Sequence, residues 1–379
     1  MLKVGITGQA GFVGTHLWNT LGLTLEKYRR IPFEDAFFQD DRMFEDWVAS
    51  CDVIVHLAAM NRHNDPEVIY QTNVGLVRKL VEAMEKTGSK PHVLFASSTQ
   101  EERDNLYGRS KKEGREILQA WAERNAAQFT GFIIPNVFGP FGNPYYNSVV
   151  ATFCHQLTHD EVPRIDVDGD LKLIYVAELV SHFIDRIDQV EQNHQQDVVA
   201  ETILLQHTSQ AKVSVILAKL EAFRSNYFEK GELPDLGDPF DRNLFNTFVC
   251  YIDHKKHFPF SLKLNTDQRG SFVETVKLNS GGQVSFSTTV PGITRGNHFH
   301  TRKAERFAVI RGKALIELRR IGTAEVLSFE LDGSQPSFVD MPVWFTHNIK
   351  NTGNEELYTI FWISEHFDAS NPDTFFENV

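Results

Sequence analysis

The strongest constraint on the fold is a single change of texture along the 379 residues. In the first part, short apolar runs alternate with amphipathic stretches. Strands are predicted at 2–7, near 28–33, 52–57, 92–97 and 130–135, and helices at about 12–22, 66–87 and 108–126. This βαβ alternation predicts a parallel sheet covered by helices on both faces. Beyond Leu262 the strands are short and alternating, as in Gly282–Thr289, Phe307–Arg311, Lys313–Arg319, Glu325–Glu330 and Leu357–Trp362. That pattern predicts a small antiparallel barrel or sandwich. Between the textures lies Gly231-Glu232-Leu233-Pro234-Asp235-Leu236-Gly237-Asp238-Pro239, a turn-rich stretch that suits a domain boundary. The expectation is two domains, 1–243 and 244–379, since so long a chain exceeds one core.

A formal net charge of −12 sets long-range repulsion against nucleic acid and anionic lipid. The segment from Asn125 to His159 lacks Asp, Glu, Lys and Arg, but Pro135, Pro140 and Pro144 speak against a membrane-spanning helix. It is better read as the wall of a pocket. The opening Leu2-Lys3-Val4-Gly5-Ile6-Thr7 reads as a strand and leaves no room for an export signal. Cys51, Cys154 and Cys250 form no close-spaced pair, which fits a reduced cytoplasm. The expectation is a cytoplasmic protein with no nucleic-acid or membrane partner.

Thr7-Gly8-Gln9-Ala10-Gly11-Phe12-Val13-Gly14 directly follows a predicted strand and opens a helix. In that context backbone N–H groups and the helix N-terminus can hold a pyrophosphate, whereas the glycines alone signify only a tight turn. Tyr107 and Lys111 are four apart on a predicted helix, so they share a face. An ammonium beside a phenol favours the phenolate and suits it to proton transfer near neutral pH. Ser97-Ser98-Thr99 supplies hydroxyls at the end of the preceding strand, where ligands of open α/β sheets bind. Arg29 and Arg30 fall at the second strand, where arginine accommodates a 2′-phosphate; NADPH is therefore the expected cofactor, against a reading as two solvated arginines.

In the second part, His298 and His300 are two apart on a predicted strand, Glu305 returns on the next and His347 comes from a later one. Three imidazoles and a carboxylate suit Zn²⁺ or another divalent cation.

The first part resembles the extended short-chain dehydrogenases/reductases, carried also by Val53-Ile54-Val55-His56-Leu57-Ala58-Ala59, Asn73-Val74 and Pro135-Asn136-Val137-Phe138-Gly139-Pro140. The resemblance implies a Rossmann-like doubly wound sheet with Gly8, Gly11, Phe12, Val13, Gly14, Leu57, Ala58 and Ala59 around the cofactor. It makes Tyr107 the acid/base, Lys111 its ribose-binding partner, and Ser98 or Thr99 the hydroxyl on the reacting oxygen, with Asn136 near the nucleotide sugar. The stretch between Ser98 and Tyr107 is shorter than in most relatives.

The second part resembles the cupins, implying an all-β jelly roll, although Pro336 and Trp344 stand where that motif usually has glycine. Asp267-Gln268-Arg269-Gly270-Ser271-Phe272-Val273-Glu274 and Arg295-Gly296-Asn297-His298-Phe299-His300 are similar to cupin-fold nucleotide-sugar 3,5-epimerases. There the residue matching His298 is a base that needs no metal, with Arg269 and Arg295 facing the substrate. Asn143 to Cys154, including Asn147, together with the domain order, is similar to bifunctional bacterial capsule-synthesis enzymes. That likeness implies a UDP-sugar substrate and a homodimer. A reductase with a structural cupin is the alternative; a nucleotide sensor would have no need of Ser98, Tyr107 and Lys111.

Overall fold

Leu2–Thr7 (β1) is buried at every position except Lys3, as a strand covered on both faces must be. It heads a six-stranded sheet made with Tyr28–Ile31 (β2), Val53–His56 (β3), His92–Ser98 (β4), Phe129–Ile134 (β5) and Ala200–Leu204 (β8). The order is β2-β1-β3-β4-β5-β8, and every pairing is parallel. A smaller sheet joins Asn136–Phe138 (β6), Asp170–Tyr175 (β7) and Ser209–Lys212 (β9). The computed structural model describes residues 1–192, 200–268 and 270–379. Arg269, an expected substrate contact, lies outside the described residues.

Helices cover both faces. On one, Leu17 and Leu21 of Phe12–Leu21 (α1) and Leu179, Val180 and Phe183 of Val176–Gln192 (α6) pack on Val4, Ile6 and Phe132. On the other, Asp41–Ala49 (α2), Pro66–Thr87 (α3) and Leu106–Asn125 (α4) bring Trp47, Leu80, Leu118 and Trp121 against Ile54, Val93 and Phe129. Local chemistry fixes their starts: Asp40, Asp65 and Asn105 accept backbone N–H groups of α2, α3 and α4 through their side chains. The chain belongs to the expected α/β class in this part; Val149–Thr158 (α5) falls almost wholly in the second unit. The strand order reverses beside β1, which opens a crevice at the carboxyl ends of β1 and β3.

The chain divides into two compact units, 1–138 with 142–149 and 170–211, and 139–141 with 150–169 and 212–379. The second unit contains two antiparallel five-stranded sheets. One comprises Phe260–Ser261 (β11), Gln283–Thr289 (β15), Glu305–Arg311 (β17), Ser337–Met341 (β20) and Leu357–Ile363 (β22). The other comprises Thr294–Phe299 (β16), Lys313–Arg320 (β18), Val326–Asp332 (β19), Phe345–Asn351 (β21) and Phe375–Phe376 (β23). Val309, Ile316, Leu318, Val339 and Ile349 fill the space between them.

This unit begins its main run at Lys212, ahead of the expected boundary at residue 244, and carries helices Val213–Ala222 (α7) and Pro239–Val249 (α8). Buried polar bonds explain the attachment. Arg306 donates to Asp340 through Nε at 2.7 Å and Nη2 at 2.8 Å, and to the Gly231 carbonyl through Nη1 at 2.6 Å. The Tyr227 hydroxyl donates to Asp340 at 2.7 Å, and the guanidinium lies 3.6 Å from the centre of the Phe338 ring. Residues before 244 thus supply two of the partners that Arg306 and Asp340 need. Because removing one member strands a buried charge, Arg306→Met is expected to cost about 3–5 kcal/mol. Urea unfolding of the second unit should show that loss, and Arg306→Met combined with Asp340→Leu should regain much of it.

Candidate active site and metal centre

The crevice is built from the glycine turn outward. Gly8 takes φ +68°, and a Cβ there would lie 2.9 Å from the Ala58 backbone; one on Gly14 would lie 2.3 Å from the Gly8 carbonyl oxygen. Gly11 gives α1 no side-chain cap, and N–H groups left uncapped at a helix N-terminus suit a phosphate. The turn is held by Thr7, whose hydroxyl meets His56 Nδ1 at 2.8 Å and accepts from the Ala58 N–H at 3.3 Å. Leu57, Ala58 and Ala59 follow β3 directly, beside the turn. Arg29 is exposed on β2, whereas Arg30 lies 4.7 Å over the Trp18 ring and donates to its carbonyl at 3.0 Å.

At the end of β4, Ser98 caps a 3-10 turn, Thr99–Glu102, and its hydroxyl interacts with the Tyr107 phenol. Thr99 is exposed, so the geometry favours Ser98 as the hydroxyl beside Tyr107. The short connection is tight: a Cβ on Gly108 would fall 1.9 Å from the Gln100 carbonyl oxygen. Burial pushes the Tyr107 phenol up to about 12, Tyr146 adds to the rise and Ser98 opposes it. Desolvation therefore outweighs the expected help from Lys111, and the phenol stays protonated at neutral pH. Burial lowers the Lys111 ammonium to about 8; it lies 5.0 Å from the Phe95 ring centre.

No sequence signal marks Tyr146, whose hydroxyl accepts from the Asn61 N–H at 3.3 Å. Nor does one mark the role of Asn73, which bonds Ser110 at 3.0 Å and the Met60 N–H at 2.7 Å, tying α3 to α4. Asn136 donates to the Lys172 carbonyl at 3.2 Å and Asn147 is exposed; no bond joins either to Tyr107 among the described residues.

In the second unit, a bulge at Asn297 shifts the β16 register so that Arg295 pairs with Ile349 and His298 with His347. Arg295 and His298, three apart in sequence, therefore share the face of His347. His298, His300, Glu305 and His347 bring one ligand atom each within 4.8 Å of the others. Glu305 Oε2 lies 3.0 Å from His347 Nε2 and 3.3 Å from His300 Nε2, yet all three atoms are buried without an aligned hydrogen bond. Such orphaned atoms around one point fit a cation.

The neighbouring imidazoles hold the Glu305 carboxyl well below the usual range despite burial, while burial and His347 lower His298 to about 4. His300 Nδ1 faces the Asp373 carbonyl, and the Asp373 carboxylate accepts from the N–H groups of Thr301, Arg302 and Lys303 at 3.1, 3.1 and 3.3 Å. This clamp orients the loop that carries His300.

With that geometry, the comparisons decide the family. The NAD dependent epimerase/dehydratase family matches residues 4–200, and the polysaccharide biosynthesis C-terminal domain matches 265–375. The chain belongs to the NAD dependent epimerase/dehydratase family. It is 33% identical to a UDP-2-acetamido-2,6-beta-L-arabino-hexul-4-ose reductase of Pseudomonas aeruginosa, over 99% of this chain and 98% of that protein. It is similar to the capsular polysaccharide assembling protein CapF of Staphylococcus aureus, with 31% identity, a TM-score of 0.63 and 100% of both chains covered. The first part also shares its fold with RMD from Pseudomonas aeruginosa, solved with NADPH, at 18% identity and a TM-score of 0.52 over 59% of this chain and 83% of that one.

The glycine turn fits the nicotinamide cofactor of the family, and its packing yields a direct check. Gly14→Val should weaken NADPH binding roughly a hundredfold or more, as its side chain displaces the turn from the helix N-terminus. Quenching of protein fluorescence on NADPH titration would report it, and unchanged affinity would remove the turn from the cofactor site.

Proposed function

We propose that this chain is a bifunctional nucleotide-sugar enzyme of UDP-N-acetyl-L-fucosamine formation for capsule or O-antigen. Its substrate is UDP-2-acetamido-2,6-dideoxy-4-hexulose. The second unit, a cupin, inverts C3; the first reduces the C4 ketone with NADPH to give UDP-2-acetamido-2,6-dideoxy-β-L-talose. The observation that carries this reading is one chain holding both the Ser98, Tyr107 and Lys111 set and the His298 cluster. Full-length likeness to a 4-keto UDP-sugar reductase and to CapF supports it.

The C4 ketone acidifies the C3 proton, and His298, neutral with its value near 4, is free to accept it. Arg295, on the same face, opposes the charge of the enolate, and reprotonation from the other side inverts C3. Epimerisation comes first, because reduction removes the ketone that makes C3 acidic. Held at the Gly8–Gly14 turn, the cofactor would supply hydride to C4. Tyr107, protonated because it is buried, gives its proton to the C4 oxygen, with Ser98 placed to hold that oxygen and Lys111 to meet the ribose. Where His298 is the base, His300, Glu305 and His347 would hold a divalent cation such as Zn²⁺, which would supply positive charge for the enolate or fix the loop; in the metal reading His298 joins them as the fourth ligand and no longer takes the proton. The enzyme acts as a homodimer in the cytoplasm, in keeping with three free cysteines. No described helix is long and apolar enough to cross a membrane.

A second reading is a reductase whose cupin only binds metal and dimerises. It is favoured by the closed character of the ligand set, three of whose ligand atoms are fully buried.

Proton NMR of the 4-keto sugar in D₂O separates the two. Deuterium is expected at C3 without nicotinamide, lost in His298→Ala and kept in Tyr107→Phe; the latter slows reduction roughly a hundredfold or more. NADPH consumption without exchange would favour the structural cupin. Separately, elemental analysis of the purified chain should find about one zinc per chain, and Glu305→Ala with His347→Ala should bring it to background.

A further inference from the structure

Next to the reductase set, and outside its assigned roles, lies a charge pair enclosed by four elements. Glu101, in the 3-10 turn after β4, has a side chain only 6% exposed, and its partner Arg115 on α4 only 13%. Arg115 donates to both carboxylate oxygens, through Nε at 3.0 and 3.2 Å and Nη2 at 2.8 Å. The Ser97 hydroxyl donates to the same carboxylate, and Arg115 Nη1 reaches Thr202 of β8 at 3.3 Å. β5 makes room for the guanidinium stem: a Cβ on Gly131 would lie 2.9 Å from Arg115 Cδ. An ion pair this enclosed stabilises little by itself, because desolvation offsets most of its attraction. Its position gives it another use.

Tyr107, Lys111 and Arg115 are spaced i, i+4 and i+8 on α4, so they form one stripe. Glu101 sits in the connection whose Gln100 carbonyl touches Gly108 of that helix. The pair therefore ties the connection bearing Ser98 to the helix bearing Tyr107 and Lys111.

We propose that Glu101 is a positioning residue of the reductase site: braced by Arg115 and Ser97, its carboxylate holds the β4–α4 connection in place and sets a negative charge beside the helix stripe that carries Tyr107 and Lys111. This rests on the reductase reading above.

The surroundings support the assignment. Burial lowers Lys111, and Glu101 is the charge that opposes the fall. From β3, His56 faces Lys111 as a neutral ring, lowered to about 3 by burial and by that lysine. From α4 itself come Tyr107, protonated, and Arg115, already paired. α3 directs Tyr70 and Arg78 to Glu113, and Glu201 of β8 is paired with Arg186. Glu101 is thus left as the carboxylate that acts on Lys111. Lys111 has its folded value below that of a free lysine, so it loses its proton as pH rises through about 8. Withdrawing Glu101 moves that loss to lower pH.

The test compares the full chain with Glu101→Gln and with Glu101→Gln combined with Arg115→Met, which removes both buried charges and restores packing if the single variant unfolds. Two readouts are taken: the pH profile of kcat/KM for NADPH-dependent reduction, and the titration of the Lys111 side chain by ¹³Cε-lysine NMR, assigned with Lys111→Arg. In both variants the alkaline limb and the Lys111 midpoint should fall by about half a unit to one unit. An unchanged midpoint, or a double variant that recovers the original profile together with its stability, would overturn the proposal and leave the pair purely structural. Should the unaltered chain reduce no 4-keto UDP-sugar, the reductase reading fails, while the Lys111 midpoint still decides what Glu101 does.

Discussion

A parallel sheet buried on both faces leaves polar chemistry one outlet, the ends of its strands. In this chain the ends of β1, β3 and β4 deliver Thr7, His56 and Ser98 to one rim, while the strand interiors stay apolar. The layout of the Ser98, Tyr107 and Lys111 set follows from that restriction. The glycine turn is compressed against Ala58 because there is little width between neighbouring strands. Tyr107 and Lys111 come from a helix packed beside the same rim, which leaves Tyr107 half-buried and Lys111 buried. Loss of water shifts both groups, raising the phenol and lowering the ammonium.

The second unit uses the opposite logic for two clusters of buried polar groups. Around Arg306 every strong partner is met: two carboxylate oxygens, a carbonyl and an aromatic face. Around Glu305 the buried atoms point at a common centre and stay unsatisfied. One cluster holds helical segments to a sheet; the other leaves bonding capacity of the kind that fits a cation. The contrast lies within a single strand, since Glu305 and Arg306 are adjacent and point to opposite faces of β17.

Much of this was legible in the sequence where the signal is local. The βα turn, the i, i+4 pair of Tyr107 and Lys111 and the spacing of His298 and His300 are written in consecutive residues. Relations that depend on tertiary burial were not. The sequence pairs Lys111 with Tyr107 as a means of lowering the phenol, but desolvation raises it instead. Arg30 stands where a phosphate ligand was expected, yet Trp18 engages its guanidinium. The stretch 212–243 looks like the tail of the first domain by composition, whereas the needs of Arg306 and Asp340 attach it to the second unit. Nothing in the alternation of Thr294–Phe299 announces the bulge that puts Arg295 beside His298.

The Asp373 clamp carries a further implication, about time. The candidate ligands occupy positions 298 to 347, but the residue that orients His300 and closes the loop over Thr301 to Lys303 comes later, at 373. A nascent chain that has emerged through β22 possesses every ligand and still lacks the strap that aims one of them. The aim of His300 therefore depends on a contact that spans more than seventy residues of chain and forms only when residue 373 is in place.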